Sequence, residues 1–581
     1  MAFVCALQRS LLKRPPPFFV SRIFVKARAF LPAMTRRFSA FLTEKRSVAS
    51  SPVSAGLLRL HAASLFLRVI TVSDYQIFIY IAIAIYLLLM LYIGLICAKR
   101  NSNAHEYYLG GRKMGPIVTA MSAEASDMSS WLLMGLPGLA LFTGIAEPGW
   151  TAIGLALGTY LNWLIVARRL RVYSEKIHAI TIPDFFARRF HDSSSLLVGI
   201  SALIIVIFFI PYTAAGFASC GKLFSTLCGL DYVTGMLIGT VVIAGYTILG
   251  GFLAASMTDL VQSIIMTLAL FIIVAFGIHM AGGWEAVKAS ASLEGYISLT
   301  HATNVVSHEV SEYGTLTIFS TLAWGLGYFG MPHILLRFMA IRDENEIAIS
   351  RRIGSTWVVI AMGCAIFIGI IGYAMIQAGA LAPYQTGSDA ETIIIKMSSL
   401  LSSFGVIPAF MAGLVLAGIL ASTMSTASGQ LLAAASSVSE NLFKGVFHIQ
   451  MTDRSTMLSA RGTVLIISIV GTVIACDPES SIFQIVSFAW AGFGASFGPV
   501  MLFALFWRRC NRWGALSGMA AGGIMVFVWK YLVKPLGGVW GIYELLPAFL
   551  VACVVIVAVS LLTDKPDENM LKDFDAVNGT K

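Results

Sequence analysis

Again and again along this chain, about 20 consecutive residues pass with almost no charge, the length a helix needs to cross a bilayer. Hydrocarbon offers backbone N–H and C=O groups no partners, so only helices or closed barrels can span it. Runs of this length, rather than alternating segments of ten, select helices. The windows fall at 75–98, 114–142, 149–167, 194–224, 232–249, 256–281, 314–336, 353–380, 405–438, 458–476, 480–507, 513–533 and 544–562. The expected fold class is an all-α polytopic membrane protein with about 13 transmembrane helices. Charged residues make up 12% of the chain, against about 25% in soluble domains. That excludes a soluble enzyme carrying a single anchor.

Residues 1–70 read differently. They are rich in Arg and Lys, hold one acid, Glu44, and contain a Pro15–Pro17 run. This basic N-terminal extension is expected to be cleaved like an organellar transit peptide, to stem from an upstream start, or to be disordered. Residues 71–565 form the transmembrane domain, and 566–581 a short tail. Lys and Arg mark cytoplasmic loops. Lys99, Arg100, Arg112 and Lys113 follow the first span, Arg168 to Arg189 the third, and Arg337 to Arg352 the seventh. Alternate loops carry Glu147, Glu285, Glu309, Asp389, Glu391, Asp477 and Glu479. This alternation places the N-terminus outside and the tail in the cytoplasm. The net charge of +10 is accounted for by these loops and the arm, so it calls for no nucleic-acid partner. The eight cysteines show no CxxC pair and no zinc spacing.

One membrane-length run has a polar middle: Ser122, Glu124, Ser126, Asp127, Ser129 and Ser130, followed by Gly135, Pro137 and Gly138. A carboxylate at bilayer depth costs about 2.5 kcal/mol or more. Hydroxyls compete for backbone hydrogen bonds, and Gly and Pro weaken the following turns. The pattern reads as a broken helix lining a cation and substrate site; the bland reading is a Ser-rich loop. In span 7, Gly325, Gly327, Gly330 and Pro332 mark a second break. There Trp324 and Tyr328, four residues apart, are expected to share a helix face and wall a small amphipathic ligand, or else only to pack. In span 9, Ser422, Ser425 and Thr426 share a face and offer hard oxygen ligands, or simply close helix packing. Asp259 begins span 6 as an ion-path acid or a solvated charge, and Tyr212 follows Pro211 in span 4. Four spans separate the two breaks. Two five-span halves of opposite orientation follow, an inverted repeat with the site at its interface.

Together these stretches resemble the sodium:solute symporter family, and its proline branch most. The matching motifs are Leu109–Arg112, Ser126–Ser129 with Trp131–Gly138, Gly250–Leu253, Trp324–Gly330 with Pro332–Leu335, Met424–Thr426 and Ala489–Gly494. They cover about 75–565. The resemblance implies two inverted five-helix repeats with broken helices in spans 2 and 7, and sodium between spans 2 and 9. It implies sodium ligands at the carbonyls of Ala125, Met128 and Ser422 and the hydroxyls of Ser425 and Thr426. Asp127 and Asp259 would serve sodium coupling. Ser129, Tyr212, Trp324, Tyr328 and Pro332 would form the substrate pocket. Glu124 and Ser130 replace the usual glycines, and Met331 the usual glutamine. Met331 bears on substrate choice, and Glu124 adds a negative charge beside the ion site.

The expected function is sodium-coupled import of L-proline by alternating access, by a monomer surrounded by lipid. Na+ is the coupling ion and no cofactor is implied. The expected location is a bacterial inner membrane or an organellar inner membrane. The alternatives are another small solute such as pantothenate, a proton-coupled variant, or a transporter-like sensor. A membrane enzyme is set aside, because the sequence offers no nucleophile–base pair, metal cluster or phosphate loop.

Overall fold

The structure is a computed structural model that describes residues 75–98 and 104–578. The basic N-terminal arm of the sequence lies outside the described residues. Helices dominate: α1 (Gln76–Ala98), α2 (Pro116–Ser130), α3 (Leu136–Thr143), α4 (Ala146–Leu161), α5 (Ala167–Lys176) and α6 (Ile182–Arg189) come first. They are followed by α7 (Leu196–Cys228), α8 (Tyr232–Met280), α9 (Thr315–Leu322), α10 (Pro332–Ala340), α11 (Ile347–Gln377) and α12 (Ile393–Ser402). The chain ends with α13 (Val406–Ser436), α14 (Asp453–Ile474), α15 (Ile482–Phe506), α16 (Arg512–Val528), α17 (Leu545–Leu562) and α18 (Glu568–Asn578). A two-stranded antiparallel hairpin, His301–Thr303 against Val310–Glu312, interrupts the all-helical expectation in the loop before α9.

Polar side chains close the helix starts where backbone N–H groups lack partners. Asp231, Thr452, Ser481 and Asn511 each accept a backbone N–H three residues on, at the heads of α8, α14, α15 and α16.

Ten helices are long and apolar enough to cross a membrane among the described residues. Three predicted spans are not among them. The run 114–142 divides into α2 and α3 around a π-helical turn at Trp131–Gly135. The run 314–336 divides into α9 and α10 around a 3-10 stretch, Ala323–Gly330. The run 232–249 is the first part of α8, which turns at Gly251 (φ 68°). Both divided spans are those whose glycines, prolines and hydroxyls weaken the regular ladder.

At the centre, α13 packs against α8, α1, α2 and α7. The 3-10 stretch lies against α4 and α15. A Cβ on Gly158 would sit 2.5 Å from the Gly325 Cα, so only bare backbone allows this approach. Two loop charges of the sequence reading are interior. Arg337 lies on α10 with 1% exposure, and Arg189 on α6 is equally buried. Leu335, Leu336, Phe338 and Met339 flank Arg337 and are buried with it. No disulfide joins the described cysteines.

Candidate functional site: a break in α2 facing α13

The site starts from the backbone. Ser129 adopts φ 45° and ψ −172°, outside helical space, near the end of α2. For a non-glycine residue this is an uncommon conformation that the surroundings must hold. Trp131 N–H turns back onto the Ser129 hydroxyl at 3.1 Å and supports it. The break leaves carbonyls without their usual helical donors, facing α13 and α7. The Ser425 hydroxyl donates to the Ala125 carbonyl at 2.7 Å and also lies 3.0 Å from the Ser422 carbonyl. The Thr426 hydroxyl, one residue on, is buried and has no hydrogen-bond partner. Ala125, Ser422, Ser425 and Thr426 are thus gathered at one contact of α2 with α13. The Ser422 hydroxyl itself bonds Ile419 O at 2.9 Å, within its own helix, so only its carbonyl is turned to the cluster. The Met128 carbonyl lies at the break and accepts from Trp131 N–H. All these donors are oxygens, the set a hard cation prefers. An orphaned hydroxyl inside the set stands out, since a buried unpaired polar group is costly.

Asp127 is buried beside this cluster. Its carboxylate accepts from the Tyr328 hydroxyl at 2.5 Å, and its carbonyl accepts from Tyr212 at 3.2 Å. Pro211 within α7 precedes that tyrosine. Asp127, Met128, Tyr212 and Trp324 then line one narrow cavity with Trp131 and Trp490. Ser129, Ser130, Tyr212, Thr426 and Gln430 line a second. Tyr212 and Val486 belong to both, so they form the partition between the two.

The expected helix face shared by Trp324 and Tyr328 is corrected here. The stretch is 3-10, with about three residues per turn, so residues four apart do not stack. The two meet through Trp490 instead. Its indole N–H donates to Trp324 O at 2.8 Å, and its ring meets Tyr328 edge-on at 5.2 Å. Trp324 stacks on Tyr543 at 5.1 Å and lies 5.8 Å from Trp131. Trp324 and Tyr543 also line a vestibule of about 1080 Å³, together with Glu391, Lys530 and Lys534. Pro332 begins α10, is buried, and lines neither narrow cavity.

Two acids fall elsewhere. The Asp259 carboxylate accepts from Arg337 at 2.9 Å and Ser122 at 2.7 Å, an ion-paired group rather than a solvated helix start. Glu124 faces away from α13. It accepts from Trp163 N–H at 2.8 Å and the Thr159 hydroxyl at 3.2 Å, in space left by Gly354.

Sequence reasoning missed four participants. Trp131 and Trp490 lay inside quoted motifs without a role. Gln430 lies four residues beyond the span 9 hydroxyls and drew no notice. Glu391, counted as a loop acid, is 2% exposed and pairs with Lys222 at 2.7 Å. An acid flanked by Ile393, Ile394 and Ile395 was the available signal for Glu391.

With this geometry in view, the likeness to known proteins is direct. The sodium:solute symporter family pattern matches residues 107–522. The chain belongs to the sodium:solute symporter family. The osmoregulated proline transporter OpuE of Bacillus subtilis (strain 168) is 40% identical over 493 residues, covering 84% of this chain and 95% of that protein. A sodium/proline symporter of Staphylococcus aureus (strain bovine RF122 / ET3-1) is 41% identical over 507 residues, covering 86% and 95%. Among solved structures, a sodium-coupled sialic acid symporter in a substrate-bound outward-open state matches with a TM-score of 0.69. That match is 17% identical and covers 84% of this chain and 99% of the other. It shows a shared fold, while family membership and the ten membrane-length helices make this a multi-pass membrane protein.

Proposed function

We propose that this symporter-family chain imports L-proline together with Na+ by alternating access. The observation that carries the reading is the Ser425 hydroxyl on the Ala125 carbonyl beside the unpartnered Thr426 hydroxyl. A sodium ion entering here would take the lone pairs of these oxygens together with the Met128 and Ser422 carbonyls. The Ser425 hydroxyl would then turn its proton away from Ala125. One ion would thereby order both α2 and α13, and Asp127 would supply the negative charge that makes the region favour a cation. Tyr212 bonds the Asp127 carbonyl, and Tyr328 bonds its carboxylate. Ordering the ion site therefore fixes two walls of the substrate cavity, which is the coupling free energy that symport requires.

Proline as the substrate is supported by the names of the 40–41% identical relatives and by a cavity of aromatic rings around one carboxylate. In this reading the N-terminus faces outward, the C-terminal tail is cytoplasmic and the vestibule opens outside. The bacterial relatives support an inner-membrane location. The protein works as a monomer, and Asp259 with Arg337 borders the ion path toward the cytoplasm.

Uptake of labelled L-proline into vesicles, under an imposed sodium or proton gradient, tests the reading. Sodium should drive accumulation, and Asp127→Ala should abolish the sodium stimulation. Undiminished stimulation in that variant, or sodium-driven accumulation of pantothenate or another amino acid but not of proline, overturns it.

A further inference from the structure

Two buried polar groups point into the same narrow cavity and bond nothing. One is the Thr426 hydroxyl; the other is the Gln430 side-chain nitrogen, one helical turn further along α13. Gln430 has 0% exposure. Its carbonyl oxygen accepts from the Thr213 hydroxyl on α7 at 3.3 Å, which turns the amide N–H donors toward the cavity. An amide nitrogen without a partner in a membrane interior loses its hydration with no return, unless a ligand completes it.

The two narrow cavities differ in charge and share a wall. The one under Trp131, Trp324 and Trp490 contains the Asp127 carboxylate. The other has hydroxyls and the Gln430 amide, and no acid among its lining residues. An amino acid has one anionic and one cationic end on a small apolar body. Its ammonium suits the cavity with the carboxylate, and its carboxylate is repelled from it. We infer that Gln430 is a substrate-binding residue, donating through its side-chain N–H to the carboxylate of the transported amino acid across the Tyr212–Val486 partition. The ring then lies against the tryptophans and the ammonium faces Asp127. The substrate carboxylate also approaches the Thr426 side of the ion site, so bound sodium and bound substrate attract one another directly. The inference rests on the amino-acid symport reading and adds to it the substrate's orientation.

Trp131 offers the competing donor. Its indole nitrogen is also buried without a partner, on the Asp127 side. The experiment compares wild type, Gln430→Leu, Gln430→Asn and Trp131→Phe in sodium-driven uptake of labelled L-proline. Each is competed by unlabelled L-proline and by prolinamide, which lacks the carboxylate charge. Wild type should prefer proline strongly. In Gln430→Leu the KM for proline should rise about tenfold or more, the loss expected for a hydrogen bond to a charged group. The half-saturating prolinamide concentration and the sodium dependence should stay near wild type, so the preference collapses. Gln430→Asn should show the same pattern in weaker form, which keeps the test open if the leucine variant folds poorly.

Equal losses for proline and prolinamide overturn the inference, as does a shift in sodium dependence with unchanged proline KM. A collapse of preference in Trp131→Phe but not in the Gln430 variants overturns it too, in favour of the indole. If wild type accumulates no proline at all, the symport reading itself has failed, and that result is distinct from a failure of Gln430.

Discussion

Among the described residues two ion pairs have both partners buried, and they are built differently. Lys222 and Glu391 lie at the vestibule, with side-chain exposures of 7% and 3%. Glu391 is saturated: it accepts from Lys222, the Ser481 hydroxyl, and the backbone N–H groups of Ile482 and Phe483 at the head of α15. Lys222 also donates to the Ser388 carbonyl and hydroxyl. This pair ties α7, the segment before α12, and α15 into one clamp, assisted by the helix dipole of α15. Arg337 and Asp259 are buried more completely, yet only one carboxylate oxygen is used. Arg337 and Ser122 both bond Oδ2, and Oδ1 has no partner. Every hydrogen bond in the vestibule pair opposes its opening. The other pair holds acceptor capacity in reserve and depends on a single cation for its charge balance.

That contrast predicts unequal penalties. Arg337→Met strands the Asp259 carboxylate in the core and should cost about 3–5 kcal/mol. The purified variant should melt well below wild type, and adding Asp259→Asn should restore most of the loss. A wild-type melting temperature for Arg337→Met alone would break the comparison. Glu391→Gln keeps an acceptor for the α15 N–H groups but loses the charge, and should cost about 1–3 kcal/mol. Its clearer mark should be access: a cysteine placed at Ser388 should react faster with an impermeant maleimide in that background. Unchanged labelling would show that the clamp does not restrain the vestibule.

The smallest effect belongs to an exposed pair, Arg508 with Asp575 on α18, at 2.8 Å. The hydrogen bond from Arg508 holds the Asp575 carboxyl below the usual carboxylate range. Its contribution is therefore present above that ordinary range, about 4, and is lost as pH falls through the depressed value. Hydrogen exchange of residues 568–578 should be flat across neutral pH and quicken only in strong acid. Asp575→Asn should leave the melting temperature unchanged, as surface pairs contribute little.

How legible all this was depends on where each residue's role resides. The helical membrane fold follows from apolar run length, because hydrocarbon leaves the backbone one local solution. The breaks were readable too, since Ser129 with its serine neighbours and the Gly325–Gly330 cluster act through local backbone preference. The form of the second break was not. Whether glycine-rich backbone becomes α or 3-10 is decided by what packs on it, here Gly154, Gly158 and Trp490. Glu391 and Arg337 escaped for a related reason. Charge counting places a residue by its neighbours along the chain, whereas their partners are 169 and 78 positions away. Gln430 was invisible because an unpartnered amide is a fact about space.

The bare contact between α4 and the 3-10 stretch restricts how the molecule can move. Gly158 meets Gly325 backbone to backbone, and Asn162 ties the Tyr328 carbonyl across the same seam at 3.0 Å. At the Gly158–Gly325 contact itself no side chain intervenes to slide or re-pack. The two segments must travel as one lever, and the pivots must lie elsewhere. Ser129 in α2 and Gly251 in α8 interrupt membrane helices with positive φ, and they are the joints about which such a lever can swing.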